Sequence, residues 1–78
     1  MIKQLLNEEL VTIKGTVILN VIIDGHNIVS HFLKDGDKIE YLHNCRMLVI
    51  NNTQTFIHGI EDITQFTDNS YDIHIKNR

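Results

Sequence analysis

The sequence predicts a mainly β fold: a small antiparallel sheet or an SH3-like or Sm-like barrel, with one short N-terminal helix. Three observations predict this class. The chain has 78 residues, which suffice for a single small β-rich domain spanning residues 1–78. Its composition favours strands, because Ile and Val suit a pleated surface and Ala, the best helix former, is absent. Turn signals also separate short apolar runs at intervals of roughly 10 residues, as in antiparallel sheets and small barrels.

The N-terminal helix is predicted over residues 2–10. Ile2, Leu5, Leu6 and Leu10 recur there at helical spacing, with polar residues between them. The rest of the chain is predicted to form strands and turns. In chain order, the predicted elements are strands at 10–14, 16–23, 26–34, 38–42, 46–50 and 53–58, a helical turn at 59–63, a loop at 67–70 and a strand at 71–75.

The hairpin around Asp24-Gly25 is the element with the strongest local signal. An Asp-Gly pair favours a two-residue type I′ turn, which needs φ > 0 at both positions. Such a turn pairs Ile23 with His26, and the same register pairs Val17 with Phe32. One face of the hairpin is therefore predicted to be core, and its side chains are Val17, Leu19, Val21, Ile23, Ile28 and Phe32.

The opposite face of this hairpin is also rich in apolar residues. We expect it to be covered by the N-terminal helix or buried in an interface, because monomers seldom expose a large apolar patch. A domain of this length without a covalent or metal staple often gains stability by oligomerising. A homo-oligomer or a complex with a protein partner is therefore predicted, and the predicted interface residues are Ile18, Ile22, Val29, His31 and Leu33.

Three side chains form a candidate ligand cluster: His43, Cys45 and His58. A two-residue turn at Asn51-Asn52 would pair Cys45 with His58 and place His43 on the same strand face. Such a set is suited to zinc or to a Cys–His nucleophilic pair. Free Cys is more often a small buried hydrophobe, however, and the paired CxxC signature is absent. The prediction is therefore that these residues pack in the core or on the surface, with no metal or other cofactor.

Charge and motifs narrow the classes of function. The sequence has no Ser-centred elbow, phosphate-binding loop or dinucleotide fingerprint, so no enzyme activity is expected. The formal charge is −3 and the seven Lys and Arg residues are dispersed, which argues against binding to duplex DNA. RNA or nucleotide binding stays open.

Cysteine usage and hydropathy predict the compartment. A lone cysteine, Cys45, fits a reducing environment. No stretch approaches the roughly 20 apolar residues that cross a bilayer, and the first residues lack a signal-peptide pattern. We therefore expect no membrane association and a cytoplasmic location, in the host cell if the gene belongs to a phage. The thirteen Ile and eight Asn residues have A/T-rich codons, which is typical of small phage and mobile-element proteins of low-GC bacteria.

Residues 56–63, with the sequence Phe-Ile-His-Gly-Ile-Glu-Asp-Ile, resemble the last part of the bacterial Sm-like RNA chaperone family. In that family an aromatic residue, a His and a short apolar helical turn precede the final strand. The resemblance implies a small bent barrel that assembles into a ring and binds RNA. The basic residue beside the family's His is replaced by Ile57 here, and the first family motif has no counterpart in the preceding hairpin.

Together these observations predict a non-enzymatic protein-interaction module. The expected form is a small phage or mobile-element protein that binds and inhibits a host factor with a role in defence or nucleic-acid handling. An acidic β domain would complement the basic surface of such a factor. The alternative is an oligomeric Sm-like or SH3-like barrel that binds RNA or nucleotides.

Overall fold

The computed structural model describes residues 10–76, which form eight β-strands and no helix. The strands are β1 (Leu10–Thr12), β2 (Val17–Ile23), β3 (His26–Leu33), β4 (Lys38–Leu42), β5 (Met47–Ile50), β6 (Thr55–Ile57), β7 (Ile60–Thr67) and β8 (Ser70–Ile75). The prediction of a mainly β chain is confirmed. The helix predicted at residues 2–10 lies outside the described residues except for Leu10, which is extended and pairs with Glu40.

The eight strands form two four-stranded sheets. Sheet 1 has the order β1-β4-β5-β6, and sheet 2 has the order β3-β2-β8-β7. Neighbouring strands are antiparallel except β2 and β8, which are parallel and place Leu19 beside Tyr71. The predicted small antiparallel sheet or SH3-like or Sm-like barrel is therefore replaced by two sheets, one of them mixed, which do not form a closed barrel. The chain leaves sheet 2 after β3, forms three strands of sheet 1 and then returns to lay β8 alongside β2.

One hydrophobic core is shared by the two sheets. Alternation along the strands of sheet 2 buries Leu19 and Ile73 completely. Sheet 1 contributes Ile39, Leu48 and Ile50, which are also inaccessible to solvent. Burial of a side chain of this size contributes about 1.5–3 kcal/mol to folding. The core thus covers one face of each sheet. The face of sheet 2 that points away from the core is called the outer face.

The turn at Asp24-Gly25 has the predicted type I′ conformation. Asp24 has φ 53° and Gly25 has φ 78°, and Ile23 pairs with His26. A Cβ added at Gly25 would meet no atom within 4 Å. The preference for glycine here is therefore a matter of backbone conformation and not of space.

A β-bulge changes the register of this hairpin directly after the turn. Ile22 pairs with Asn27, but Val21 pairs with Val29, so Ile28 is an extra residue on β3. Every pairing beyond the bulge differs by one residue from the register that a two-residue turn alone predicts.

The register shift reverses which side chains of β3 are buried. Leu33, and not Phe32, lies opposite Val17, and Leu33 is only 1% exposed. Ile28 and Phe32, which were predicted to be core, are 59% and 71% exposed. This part of the prediction is wrong because a slip of one residue moves every side chain to the other face of the strand.

The helical turn predicted at residues 59–63 is instead the beginning of β7. Ile60 and Ile63 are both buried although they are three residues apart, which is a helical spacing in the sequence. A register shift after Ile60 inserts Glu61 as an extra residue and turns both isoleucines towards the core. The segment that resembles the Sm-like family therefore lacks the helical turn that the resemblance implies.

Replacement of Gly25 by Val tests the turn. We expect Gly25→Val to lower the free energy of unfolding by about 1–2 kcal/mol, because an L side chain resists positive φ. Gly25→Asn should cost much less, since Asn tolerates this conformation. Urea denaturation measures both variants, and a Gly25→Val protein as stable as the wild type would contradict the type I′ turn.

Alanine substitutions at two adjacent positions test the bulge. Leu33→Ala should lower the free energy of unfolding by about 2–5 kcal/mol, because it opens a cavity in the core. Phe32→Ala should change it by no more than about 0.5 kcal/mol, because the side chain is exposed. Denaturant titration compares the two. A larger loss for Phe32→Ala than for Leu33→Ala would mean that the bulge is absent.

Candidate functional site

The outer face of sheet 2 carries a hydrogen-bonded polar strip. Asn20 donates from Nδ2 to Asp72 Oδ1 at 3.0 Å, and its Oδ1 accepts a bond from Ser30 Oγ at 2.6 Å. Asn27 also donates to Asn20 Oδ1, at 3.4 Å. These bonds connect β3, β2 and β8. They also show that Asn27 and Ser30 project from the same face of the sheet as Asn20.

Apolar side chains flank this polar strip. Ile18 and Ile22 are half-buried on β2, two residues to either side of Asn20. Phe32 lies opposite Ile18 on the neighbouring strand. Ile28, the extra residue of the bulge, is exposed on the same strand. The outer face thus combines polar groups that already bond to each other with apolar groups that are open to solvent.

β3 is an edge of sheet 2 and is the apolar border of this face. It pairs with β2 on one side, and no strand within residues 10–76 pairs with its other side. Ile28, Val29 and Phe32 are all exposed along it, and none of the eight residues of His26–Leu33 carries a formal charge. A long apolar edge of this kind is a template for pairing with another strand.

The other edges of the described sheets are better protected. β1 and β6 have only three residues each. β7 has eight residues, as β3 has, but it carries Glu61 and Asp62 and has two register shifts where β3 has one. Short length, charge and bulges all discourage pairing with a further strand. Among these four edges, β3 is therefore the best suited to receive a partner.

The five predicted interface residues divide between two faces of the sheet. Ile18 and Ile22 lie on the outer face, as described above. The register shift turns Val29, His31 and Leu33 to the core side, where they lie opposite buried residues of β2. Val29 is exposed and His31 half-buried at the edge, but Leu33 is part of the core and is unavailable to a partner. The prediction for Leu33 is therefore wrong.

Ile28 and Phe32 are the exposed apolar residues that the sequence argument assigned to the core. Between residues 28 and 33, the two alternating sets of β3 each contain two apolar residues and one polar residue, with Ser30 in one set and His31 in the other. Hydrophobic alternation cannot choose between two such sets. Only the position of the bulge decides which set faces solvent.

The candidate ligand cluster depended on a two-residue turn between β5 and β6. That connection is instead a four-residue turn at residues 51–54, with Gln54 at φ 52°. Leu48 consequently pairs with Ile57. The predicted pairing of residues 45 and 58 does not occur.

His43 and Cys45 lie in the turn at residues 43–46 and not on a strand. The His43 ring packs edge-on against Tyr41, with 4.7 Å between ring centroids. Cys45 and His58 are exposed. In the part of the chain that the structure describes, no three His, Cys, Asp or Glu side chains are grouped to hold a metal ion. The lack of a bound metal stays a prediction, which metal analysis of the purified protein tests.

Asp37 is a buried carboxylate with a structural role. Its Oδ2 accepts hydrogen bonds from the backbone N–H of Lys34 at 2.8 Å and from Asn52 Nδ2 at 2.9 Å. Its backbone carbonyl accepts a bond from the N–H of Ile13 at 2.7 Å. The residue thus joins three loops.

A hydroxyl–imidazole contact lies on β7 and β8. Thr64 Oγ1 is 2.9 Å from His74 Nε2, and both side chains are on an open surface. A shallow groove with both polar and apolar walls follows residues 62–68 beside it. Nucleophilic catalysis needs a base that a third group orients within a site. Asp62 pairs with His74 along the strands, but its Oδ1 accepts the backbone N–H of Ile63 at 2.8 Å. The contact between Thr64 and His74 is therefore a surface hydrogen bond.

No family model matches the chain, and no curated protein or solved structure is significantly similar to it. Within residues 10–76 the structure has no helix of the length and apolar character needed to cross a membrane.

Proposed function

We propose that this chain is a non-enzymatic protein-interaction module that binds its partner through β3 and the adjoining outer face of sheet 2. We call this region the β3 surface, and its residues are Ile18, Ile22, Ile28, Val29 and Phe32. The observation that supports the proposal is the edge strand His26–Leu33, which has eight residues, no formal charge and three exposed large apolar side chains.

The β3 surface has the two properties that strand addition requires. An edge strand offers backbone N–H and C=O groups for ladder hydrogen bonds, which supply affinity for almost any extended segment. Exposed side chains then supply specificity, and aromatic residues such as Phe32 are enriched in protein interfaces. The polar strip around Asn20 is internally bonded, so covering it leaves few polar groups without a partner.

Inhibition of a host factor is the form of this function that the composition favours. The Ile and Asn content indicates an A/T-rich genome, and small proteins of this kind are common in phages and mobile elements of low-GC bacteria. The net charge of −3 suits a factor with a basic surface. Binding of RNA or nucleotides is less well supported. Its basis is the resemblance at residues 56–63, where the chain has the beginning of a strand in place of a helical turn.

Site-specific photo-crosslinking tests the β3 surface directly. We expect benzoylphenylalanine at position 32 to crosslink to protein in the cells in which the chain is naturally made. The matched control is the same residue at position 56, since Phe56 is also an exposed aromatic, at 57%, but lies on sheet 1. Gel shifts and mass spectrometry identify the adducts. Equal adducts from both positions, or no protein adduct from position 32, would contradict the proposal.

A further inference from the structure

We infer that β3 pairs antiparallel with β3 of a second copy of this chain, about a two-fold axis through Ser30. This inference rests on the proposed function, because it names a second copy as the protein partner of the β3 surface, while a basic factor would contact acidic residues outside β3. Two identical strands paired antiparallel form an isologous contact, in which each copy presents and receives the same groups. An axis perpendicular to the sheet also keeps the outer faces of the two copies side by side.

Ser30 is the centre that best matches the exposed side chains. The regular part of β3 comprises residues 29–33, beyond the bulge at Ile28. With Ser30 opposite its own symmetry mate, Phe32 of each copy lies beside Ile28, the bulge residue, of the other copy. These are the two most exposed apolar side chains of the strand, and aromatic–aliphatic pairs across strands are favourable. Pairing about this axis therefore covers Ile28 and Phe32 in both copies.

Charge favours a second copy over a basic partner at this edge. The chain has a net charge of −3, but β3 contributes none of its acidic residues, so a basic partner would find no opposing charge there. Two copies meet through neutral strands, and repulsion between more distant acids is screened beyond about 8 Å at physiological ionic strength. The edge strand β7 instead carries Glu61 and Asp62, and charged residues on an edge discourage pairing with another strand.

Pairing through β3 also leaves the protected edges at the ends of the combined sheet. Its strand order would be β7-β8-β2-β3-β3-β2-β8-β7, with one half from each copy. Both ends are then β7, which carries acidic residues and two register shifts. Charge and bulges oppose further strand addition, so the assembly stops at two copies.

The size of this contact predicts a reversible dimer. A standard specific interface covers about 800 Å² of each partner, which is roughly one sixth of the 4878 Å² accessible surface of the chain. A short ladder with one aromatic–aliphatic pair on each side of the axis covers less than this. We therefore expect dimers to dissociate in the micromolar range.

Sedimentation equilibrium over a concentration series tests the dimer. The wild-type chain should shift from monomer to dimer, and Phe32→Lys should weaken dimerisation about tenfold or more, the loss expected for an anchor residue. Phe66→Lys is the matched control, because Phe66 is also 71% exposed but lies on β7, and it should dimerise as the wild type does. Circular dichroism checks that each variant is folded. High salt should leave dimerisation intact, whereas a complex with a basic partner weakens.

A single-cysteine scan locates the axis independently of stability. Cysteine is placed in turn at positions 28 to 32 in a Cys45→Ser background, and the protein is oxidised with oxidised glutathione. A residue on a two-fold axis lies opposite its own copy, at a separation that a disulfide spans. Crosslinking should therefore be most efficient for Ser30→Cys and fall away on both sides.

The outcomes separate this inference from the proposed function. A wild-type chain that stays monomeric, while position 32 crosslinks to a different protein, would overturn the dimer and leave the interaction surface standing. Unchanged dimerisation of Phe32→Lys, or a crosslinking maximum away from position 30, would also overturn the inference. A monomer without any adduct at position 32 would overturn both.

Discussion

The β-bulge at Ile28 is the constraint on which the proposed surface depends. A strand has a period of two, so one extra residue exchanges the buried and exposed faces of everything beyond it. Because this bulge lies directly after the turn, Leu33 enters the core while Phe32 is left at the edge of the outer face. Without it, Phe32 would fill the core. The apolar character of this edge therefore follows from a local irregularity of the backbone and not from composition alone.

Local sequence signals correctly predicted those elements whose geometry depends on neighbouring residues. The Asp24-Gly25 turn has positive φ at both positions, and β4 has the predicted bounds Lys38–Leu42. The errors arise where one residue is added to a strand, as at Glu61, because the resulting spacing of buried residues imitates a helix. The parallel pairing of β2 with β8 was also beyond local signals. It joins residues such as Asn20 and Asp72, which are 52 positions apart, and it depends on the path of the whole chain.

The sequence predicted that the candidate site would be an exposed apolar face, but it predicted only some of the residues on that face. Apolar residues on both faces of the β2–β3 hairpin indicated that one face would remain open, and the structure does leave apolar side chains exposed there. Their identity required the register, which exchanged Leu33 for Phe32. The candidate ligand cluster failed for a related reason, since it assumed a two-residue turn where the chain makes a four-residue one. Turn length and the positions of bulges depend on packing in the whole fold, which the two residues of a turn signal do not reveal.

Cross-strand NMR contacts between backbone protons of β2 and β3 test the central claim most directly, because they report which residues lie opposite each other whatever the stability of the protein. The account predicts contacts that place Val21 opposite Val29 and Val17 opposite Leu33. Contacts that placed Val21 opposite Ile28 and Val17 opposite Phe32 would contradict it, since Phe32 would then belong to the core and the β3 surface would lose its anchor.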